Sequence, residues 1–343
     1  MRVNLLYIVP IFLFYGCIDP LDIEVNDRNS RLVVMGEITN LPEAYQVVLQ
    51  RTSDYETLVN PMEENATVSV TDENGLEYFF KESKPGIYRS CPTEFVGKIG
   101  QSYKLRIETS NDIIYESEVE TLLSTGEIDK VYYRKSQRQV EVNDYTYLEE
   151  GIKVFCDFKD TETEDYFKLD WQGTYKFQSA PMDNNNRYCW NTEFAKFDIN
   201  LYNDQFSNNS LLKDFEITYL SDGLRFSEDY SFQVRLKSLS KGAFKFWTLI
   251  KDQFENDGSI FSALPAQIES NINSLTNAEE KVLGYFVVSS VDTKRIRIPS
   301  TALSGVNEAA LACKQFSPTD PLPEYCFNCT KYENSEGEEP TFW

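Results

Sequence analysis

Between residues 30 and 125, apolar and polar positions alternate in short runs, the period-two pattern of strands with one buried face. Arg31–Ile38, Tyr45–Arg51 and Ala66–Thr71 are the first three runs. Asp72-Glu73-Asn74-Gly75 then turns the chain and Leu76–Phe80 returns it. Asn-Gly between two such runs predicts a hairpin, because both residues tolerate the positive φ of a tight turn. Pro85-Gly86-Ile87-Tyr88 opens another strand, Ser102–Glu108 alternates cleanly, and Asn111-Asp112 turns into Ile113–Val119. About seven short strands at this spacing predict an immunoglobulin-like β-sandwich over 30–125.

Ser124-Thr125-Gly126 marks the boundary to a second β-rich domain, 126–343. Strands are expected at Asp129–Tyr133, Gly151–Asp157 and Tyr166–Phe177, with Asp160–Asp165 as an acidic turn. One amphipathic helix is expected near 241–257. Ser240 can cap it and Gly258 can end it, and Ala243, Phe244, Trp247, Ile250 and Phe254 recur at helical spacing. Lys281–Ser289 reads as a buried strand, with Lys294–Ile298 as its neighbour. The expected fold is therefore mainly β: an immunoglobulin-like sandwich, then a β-rich domain with one helix.

The first residues follow a different pattern. Arg2 precedes the uncharged run Leu5–Phe14, which ends at Gly16-Cys17. A basic start, an apolar core and a small residue before a cut site describe a secretory signal peptide, here 1–17. The run is short of the roughly 20 residues a membrane-spanning helix needs. Cys17 after Gly16 is the position acylated in bacterial lipoproteins, although Phe14 and Tyr15 are bulkier than the residues usual there. An ordinary signal peptide that happens to contain a cysteine is the plainer alternative. Several acyl chains suffice as an anchor, since each buried CH₂ adds about 0.8 kcal/mol. Residues 18–29, with Asp19, Asp22 and Glu24, then form a tether whose acidity resembles the surface-export signals of some Gram-negative lipoproteins.

Charge and composition narrow the function. The net charge of −22 argues against nucleic acid, whose phosphates demand a basic surface. The chain has no histidine, which removes Ser-His-Asp and Cys-His catalysis and His-ligated zinc. Paired carboxylates remain, as in glycosidases, but 55 acidic residues make chance pairs inevitable. Beyond Cys17 stand Cys91, Cys156, Cys189, Cys313, Cys326 and Cys329, an even set that suggests disulfides in an exported chain without specifying their pairing. Cys326-Phe-Asn-Cys329 has redox or zinc-knuckle spacing, yet neither a βαβ context nor a second CxxC accompanies it, so structural disulfides are the simpler reading. Asp183 and the Asn184–Asn186 run offer oxygens to calcium but lack EF-hand spacing, so a solvated loop is the simpler reading. Trp171, Tyr175, Tyr188 and Trp190 are candidates for stacking on a sugar or anchoring a peptide, with core packing as the alternative for each. No cofactor is implied.

The order of several motifs resembles the domain-of-unknown-function 4249 family of lipoproteins. These are the Cys17 anchor, Leu32-Val33-Val34-Met35-Gly36-Glu37-Ile38-Thr39, Ala66-Thr67-Val68, Gly86-Ile87-Tyr88 and Tyr103-Lys104-Leu105. Further along come Phe246-Trp247, Gly258-Ser259-Ile260-Phe261, Pro265-Ala266, Ser270-Asn271-Ile272, Leu283-Gly284-Tyr285-Phe286, the Cys326/Cys329 pair and Pro340-Thr341-Phe342-Trp343. The resemblance carries no catalytic motif. It implies a cell-surface accessory lipoprotein partnered with a TonB-dependent outer-membrane transporter, held to the outer membrane by its lipid. The first domain is also similar to the non-catalytic carboxypeptidase-regulatory-like sandwich. The expected function is thus capture of a peptide or glycan nutrient without catalysis; a structural or adhesion protein of the envelope is the alternative.

Overall fold

Along β1 (Leu32–Thr39), Leu32, Val34 and Ile38 are fully buried while Val33, Met35 and Glu37 point the other way, so the alternation of the sequence survives in space. The computed structural model describes residues 30–53, 59–143, 145–179, 188–195, 198–204, 209–255, 268–303 and 321–343. Cys17 with the signal and tether, the loop containing Asp183–Asn186, Gly258 and Cys313 lie outside the described residues.

After β1 come β2 (Gln46–Arg51), β3 (Thr67–Asp72), β4 (Glu77–Lys84), β5 (Ile87–Arg89), β6 (Ser102–Glu108), β7 (Ile114–Ser117) and β8 (Glu120–Thr121). The predicted Asn-Gly turn joins β3 to β4. Gly75 has φ +80°, and the Asp72 carboxylate accepts the backbone N–H of Asn74 and Leu76, each at 2.9 Å. The strands run β7-β6-β3-β4-β5-β2-β1, and a register shift in β4 between Glu82 and Lys84 marks where the halves part. Both halves contribute to one core: Val34, Val47 and Leu49 from one, Val70, Leu105 and Ile107 from the other.

The second sandwich is built from β9 (Glu127–Val142), β10 (Tyr145–Lys159), β11 (Tyr166–Gln178), β12 (Tyr188–Phe194), β13 (Asn200–Asn203), β14 (Leu211–Ser221) and β15 (Tyr230–Ser238). Then follow α1 (Lys241–Glu255), β16 (Ile272–Ser274), β17 (Leu283–Ser289), β18 (Val291–Ile298) and β19 (Ser335–Glu336). One sheet is β14-β10-β9; the other is β18-β15-β11-β12-β19, with β13 on β11. Ile152, Val154 and Phe158 meet Leu169, Phe232 and Val234 between them. β14 pairs with β10 only from Gly151 onward, so the far part of the β9–β10 hairpin projects as a two-stranded arm. Val142, Tyr145, Tyr147 and Leu148 are exposed on it.

Two strands from the span assigned to the second domain belong to the first sheet, and only the later of them, β17, is expected from the sequence. β16 pairs with β7, and β17 pairs in parallel with β1. β17 and β18 are therefore not neighbours, contrary to the expectation from sequence; β18 pairs with β15. The crossing between sheets is carried by Ser289 and Ser290, both fully buried. Ser290 satisfies its polar groups on Ser238 and on the Leu123 carbonyl, which keeps a buried crossover hydrogen-bonded. At Gly284, with φ +90°, an added Cβ would sit 1.9 Å from the Val34 carbonyl oxygen. Only glycine lets β17 approach β1 this closely.

The helix begins as predicted: the Ser240 hydroxyl accepts the Ala243 N–H at 3.1 Å. Ala243 and Phe246 are buried, and Phe244, Trp247 and Ile250 pack partly against Tyr166, Tyr285 and Val287. Phe254, expected on the apolar stripe, is exposed because the last turn runs beyond these strands. Beneath the helix start, buried Glu120 accepts hydrogen bonds from Tyr285 (2.8 Å) and Asn271 (3.2 Å). Burial raises its pKa, against the lowering effect of the hydrogen bonds from Ser240, Tyr285 and Asn271. A raised carboxyl pKa favours the native state below the unfolded value of about 4.3, and that contribution is lost as pH rises through the folded value. Glu120→Gln is therefore expected to abolish this part of the decline on the rising limb, leaving the variant at least as stable as the parent at pH 7 in urea titrations. A variant that keeps the parent's pH profile contradicts this assignment.

Cys189 and Cys329 form a disulfide, and Cys326 is also disulfide-bonded, to a partner outside the described residues. The CxxC cysteines are thus not bonded to each other. Cys91 and Cys156, two of the six disulfide candidates, are free. Cys156 is buried in the second core, whereas Cys91 follows β5 in the first sandwich, so the two lie in different sandwiches.

Candidate functional site

Strands buried on one face present their other face to solvent, and here two such faces meet. From the first sandwich come Met35 and Glu37 of β1, Gln46 and Val48 of β2, and Val287 of β17. From the second come Lys168, Asp170 and Gln172 of β11 with Arg235 and Lys237 of β15, whose alternate residues Leu169, Val234 and Leu236 fill the core. Between them lies a cleft of about 780 Å³, with Trp247 of α1 and Phe194 at the end of β12 among its lining residues. That volume is in the range of small-ligand sites.

A charged network crosses the cleft. The Lys237 ammonium, on a residue only 8% exposed, donates to Glu37 at 2.7 Å and contacts Asp170 at 2.9 Å. Lys168 also pairs with Asp170, and its ammonium lies 4.5 Å from the centre of the Trp247 ring. Arg235 grips Glu43 through both terminal nitrogens, at 2.5 and 3.2 Å. Burial disfavours the charged form of Asp170, but Lys237 and Lys168 outweigh it and hold the carboxyl well below the usual range. Burial likewise opposes the Lys237 charge, and Asp170 with Glu37 overcomes it and raises the pKa. Three cations balance three anions, so in a chain of net charge −22 this cleft is locally neutral. It presents fixed donors, fixed acceptors and aromatic surface: Phe194 is 53% exposed and Trp247 is partly exposed.

A second cleft shares Trp171 and Phe194 with the first and continues along β12 and β14. Two of its acids are internally engaged. Asp198 accepts from Trp171 Nε1 (3.0 Å) and Thr218 (2.7 Å), and Glu193 accepts from Arg225 (3.0 Å) and Tyr230. Among the described residues, no group of three or more cysteine, aspartate or glutamate side chains is placed to hold a metal, and no helix is long and apolar enough to cross a membrane.

The aromatic candidates divide. Trp171 and Tyr175 are core residues, stacked on Phe232 and Tyr230, with only their margins reaching the clefts. Tyr188 is 41% exposed beside the Lys176 ammonium. Trp190 is 8% exposed and packs edge-on against Trp343. Phe194, Arg235 and Lys237 were not singled out from the sequence. A usable signal existed: on β15, Gln233, Arg235 and Lys237 alternate with Phe232, Val234 and Leu236, a polar face opposed to a core face.

Comparison with known families gives one match: the family described as a domain of unknown function (DUF4249) covers residues 18–295. Among curated proteins none matches the chain.

Proposed function

The chain belongs to the DUF4249 family, and on that premise we propose that it is a non-catalytic lipoprotein, anchored through Cys17 to the outer membrane, that captures a peptide or glycan nutrient for a TonB-dependent transporter. The observation that carries this reading is the cleft between the sandwiches, with Phe194 exposed and its polar groups held in place by ion pairs. Preorganised donors and acceptors beside an aromatic surface suit a polar, uncharged or zwitterionic ligand. The β9–β10 arm, with Tyr145 and Leu148 exposed, supplies apolar surface for a protein partner. The first sandwich serves in this reading as a rigid, carboxypeptidase-regulatory-like spacer that forms one cleft wall.

The test is calorimetric titration of the purified chain with panels of oligosaccharides and short peptides. A ligand bound in the cleft is expected to lose about tenfold in affinity with Phe194→Ala, a surface change that leaves the fold intact. Binding unaffected by Phe194→Ala and by Gln172→Ala would move the ligand elsewhere; no binding across both panels would remove the capture role.

A further inference from the structure

The cleft floor continues along the sheet to the edge strand β18, and the chemistry changes there. Gln172 of β11 pairs in register with Gln233 of β15, and Gln233 with Arg295 of β18. Arg295 donates from Nη1 to the Ser231 hydroxyl at 2.9 Å and from Nη2 to the Gln233 amide oxygen at 2.8 Å. The Phe342 ring lies over its guanidinium with a 3.7 Å centroid distance. No carboxylate among the described residues pairs with it, although the chain has 55 acids. A guanidinium has five N–H donors and two are used, so three remain for a ligand. Burial lowers the Arg295 pKa, with no neighbouring acid opposing it.

The surroundings repeat this excess of donors. Arg297, two residues on, meets Asp229 only at 3.8 Å and lies 5.1 Å from the Trp343 ring. Trp190, on the same sheet face, has a buried Nε1–H with no acceptor, and so does Arg235 at Nε. Trp343 touches both Trp190 and Arg297, so Phe342 and Trp343 form an aromatic roof over this strip. A sheet face with unmet N–H donors, a planar fork and stacking rings is made for a planar, acceptor-only group.

We propose that Arg295, with Arg297 beside it and Phe342 stacked on its plane, is a carboxylate-binding subsite at the β18 end of the cleft floor. This deepens the capture reading and rests on it for biological meaning, but its chemistry is testable alone. Both a peptide with a free C-terminal carboxylate and a uronic-acid glycan carry the group.

The experiment titrates the whole mature chain with trialanine and trialanine amide, and with trigalacturonate and its methyl ester. A charge-assisted, forked contact predicts that at least one acid binds about tenfold or more tightly than its neutral counterpart. The pair that shows the preference identifies the source. Arg295→Gln is expected to erase the preference, Arg295→Lys to restore part of it, and Phe342→Ala to weaken both affinities while keeping the order. Equal binding of acid and neutral forms by the parent chain overturns the proposal, as does a preference that survives Arg295→Gln. Should Arg295→Gln fail to fold, the comparison within the parent chain still decides. Equal binding of acid and neutral forms by the parent chain, with Phe194-dependent binding of a neutral ligand still present, would refute the subsite and leave nutrient capture standing.

Discussion

Replacing Lys237 by methionine is expected to destabilise the protein by about 3 kcal/mol, the lower part of the range for removing one partner of a buried ion pair. Methionine keeps the apolar stem but takes away the cation shared by Asp170 and Glu37. Glu37 is more than a third exposed and loses little by itself. Asp170 is the larger contribution, since Lys168 then remains its only described cation. The pH dependence follows from the lowered Asp170 pKa. Its stabilisation is present above the ordinary aspartate value of about 3.9 and is lost as pH falls through the folded value. The Lys237→Met variant should therefore show a shallower acid limb in denaturant titrations. The raised Lys237 pKa acts at the other end: its contribution persists through neutrality and fades only above the ordinary lysine range of about 10.4. A loss under about 1 kcal/mol would mean that the network is a solvated surface cluster, not a clamp between the sandwiches.

Removal of the Cys189–Cys329 disulfide should have an effect of similar size. The two cysteines are 140 residues apart, and loop-closure entropy for that separation is about 5 kcal/mol, at the top of the 2–5 kcal/mol usually lost with native disulfides. The bond fastens the segment carrying β19 to β12, where Trp190 pairs with Glu336. Cys189→Ser/Cys329→Ser is expected to lower stability by about 2–5 kcal/mol. It should also loosen Trp343, whose emission reports its packing on Trp190 and Arg297. An unchanged denaturation midpoint would show that the C-terminal segment is held without this bond, by its sheet pairing and the Cys326 disulfide.

These effects depend on contacts that differ in how visible they are along the chain. The strands of the first sandwich were legible because each buries one face on a single core, which imposes strict alternation in runs such as Ser102–Glu108. Only Asp129–Tyr133 and Gly151–Asp157 of the β9–β10 hairpin are read as strands; the short Val140/Val142 and Tyr145/Tyr147 alternation of the arm meets no core, and none of its described residues beyond Ser136 is buried before Gly151. β12, β13, β14 and β15 were missed. In β14 the alternation is broken at Asp214, which has φ +57°; in β15 both faces are largely covered, so Tyr230, Ser231 and Phe232 are buried in succession. The parallel pairing of β17 with β1 joins residues about 250 apart, and local pattern carries no information on such partners.

The cleft was illegible for the same reason. Its two walls are the outward faces of strands that alternate correctly, but nothing within either run says that the faces meet. Trp171 and Tyr175, aromatic candidates in the sequence, are absorbed by the core. Of the aromatics lining the cleft, Phe194 sits at the end of an unread strand and Trp247 on a helix stripe that reads as packing.

The most direct test of the central claim is recovery of the tagged chain from gently solubilised outer membranes, with mass spectrometry of whatever accompanies it. A stoichiometric TonB-dependent transporter is expected, retained by the parent chain and reduced when Tyr145 and Leu148 of the β9–β10 arm are replaced by serine. A chain that arrives alone, under conditions that preserve a known transporter complex, would contradict that claim.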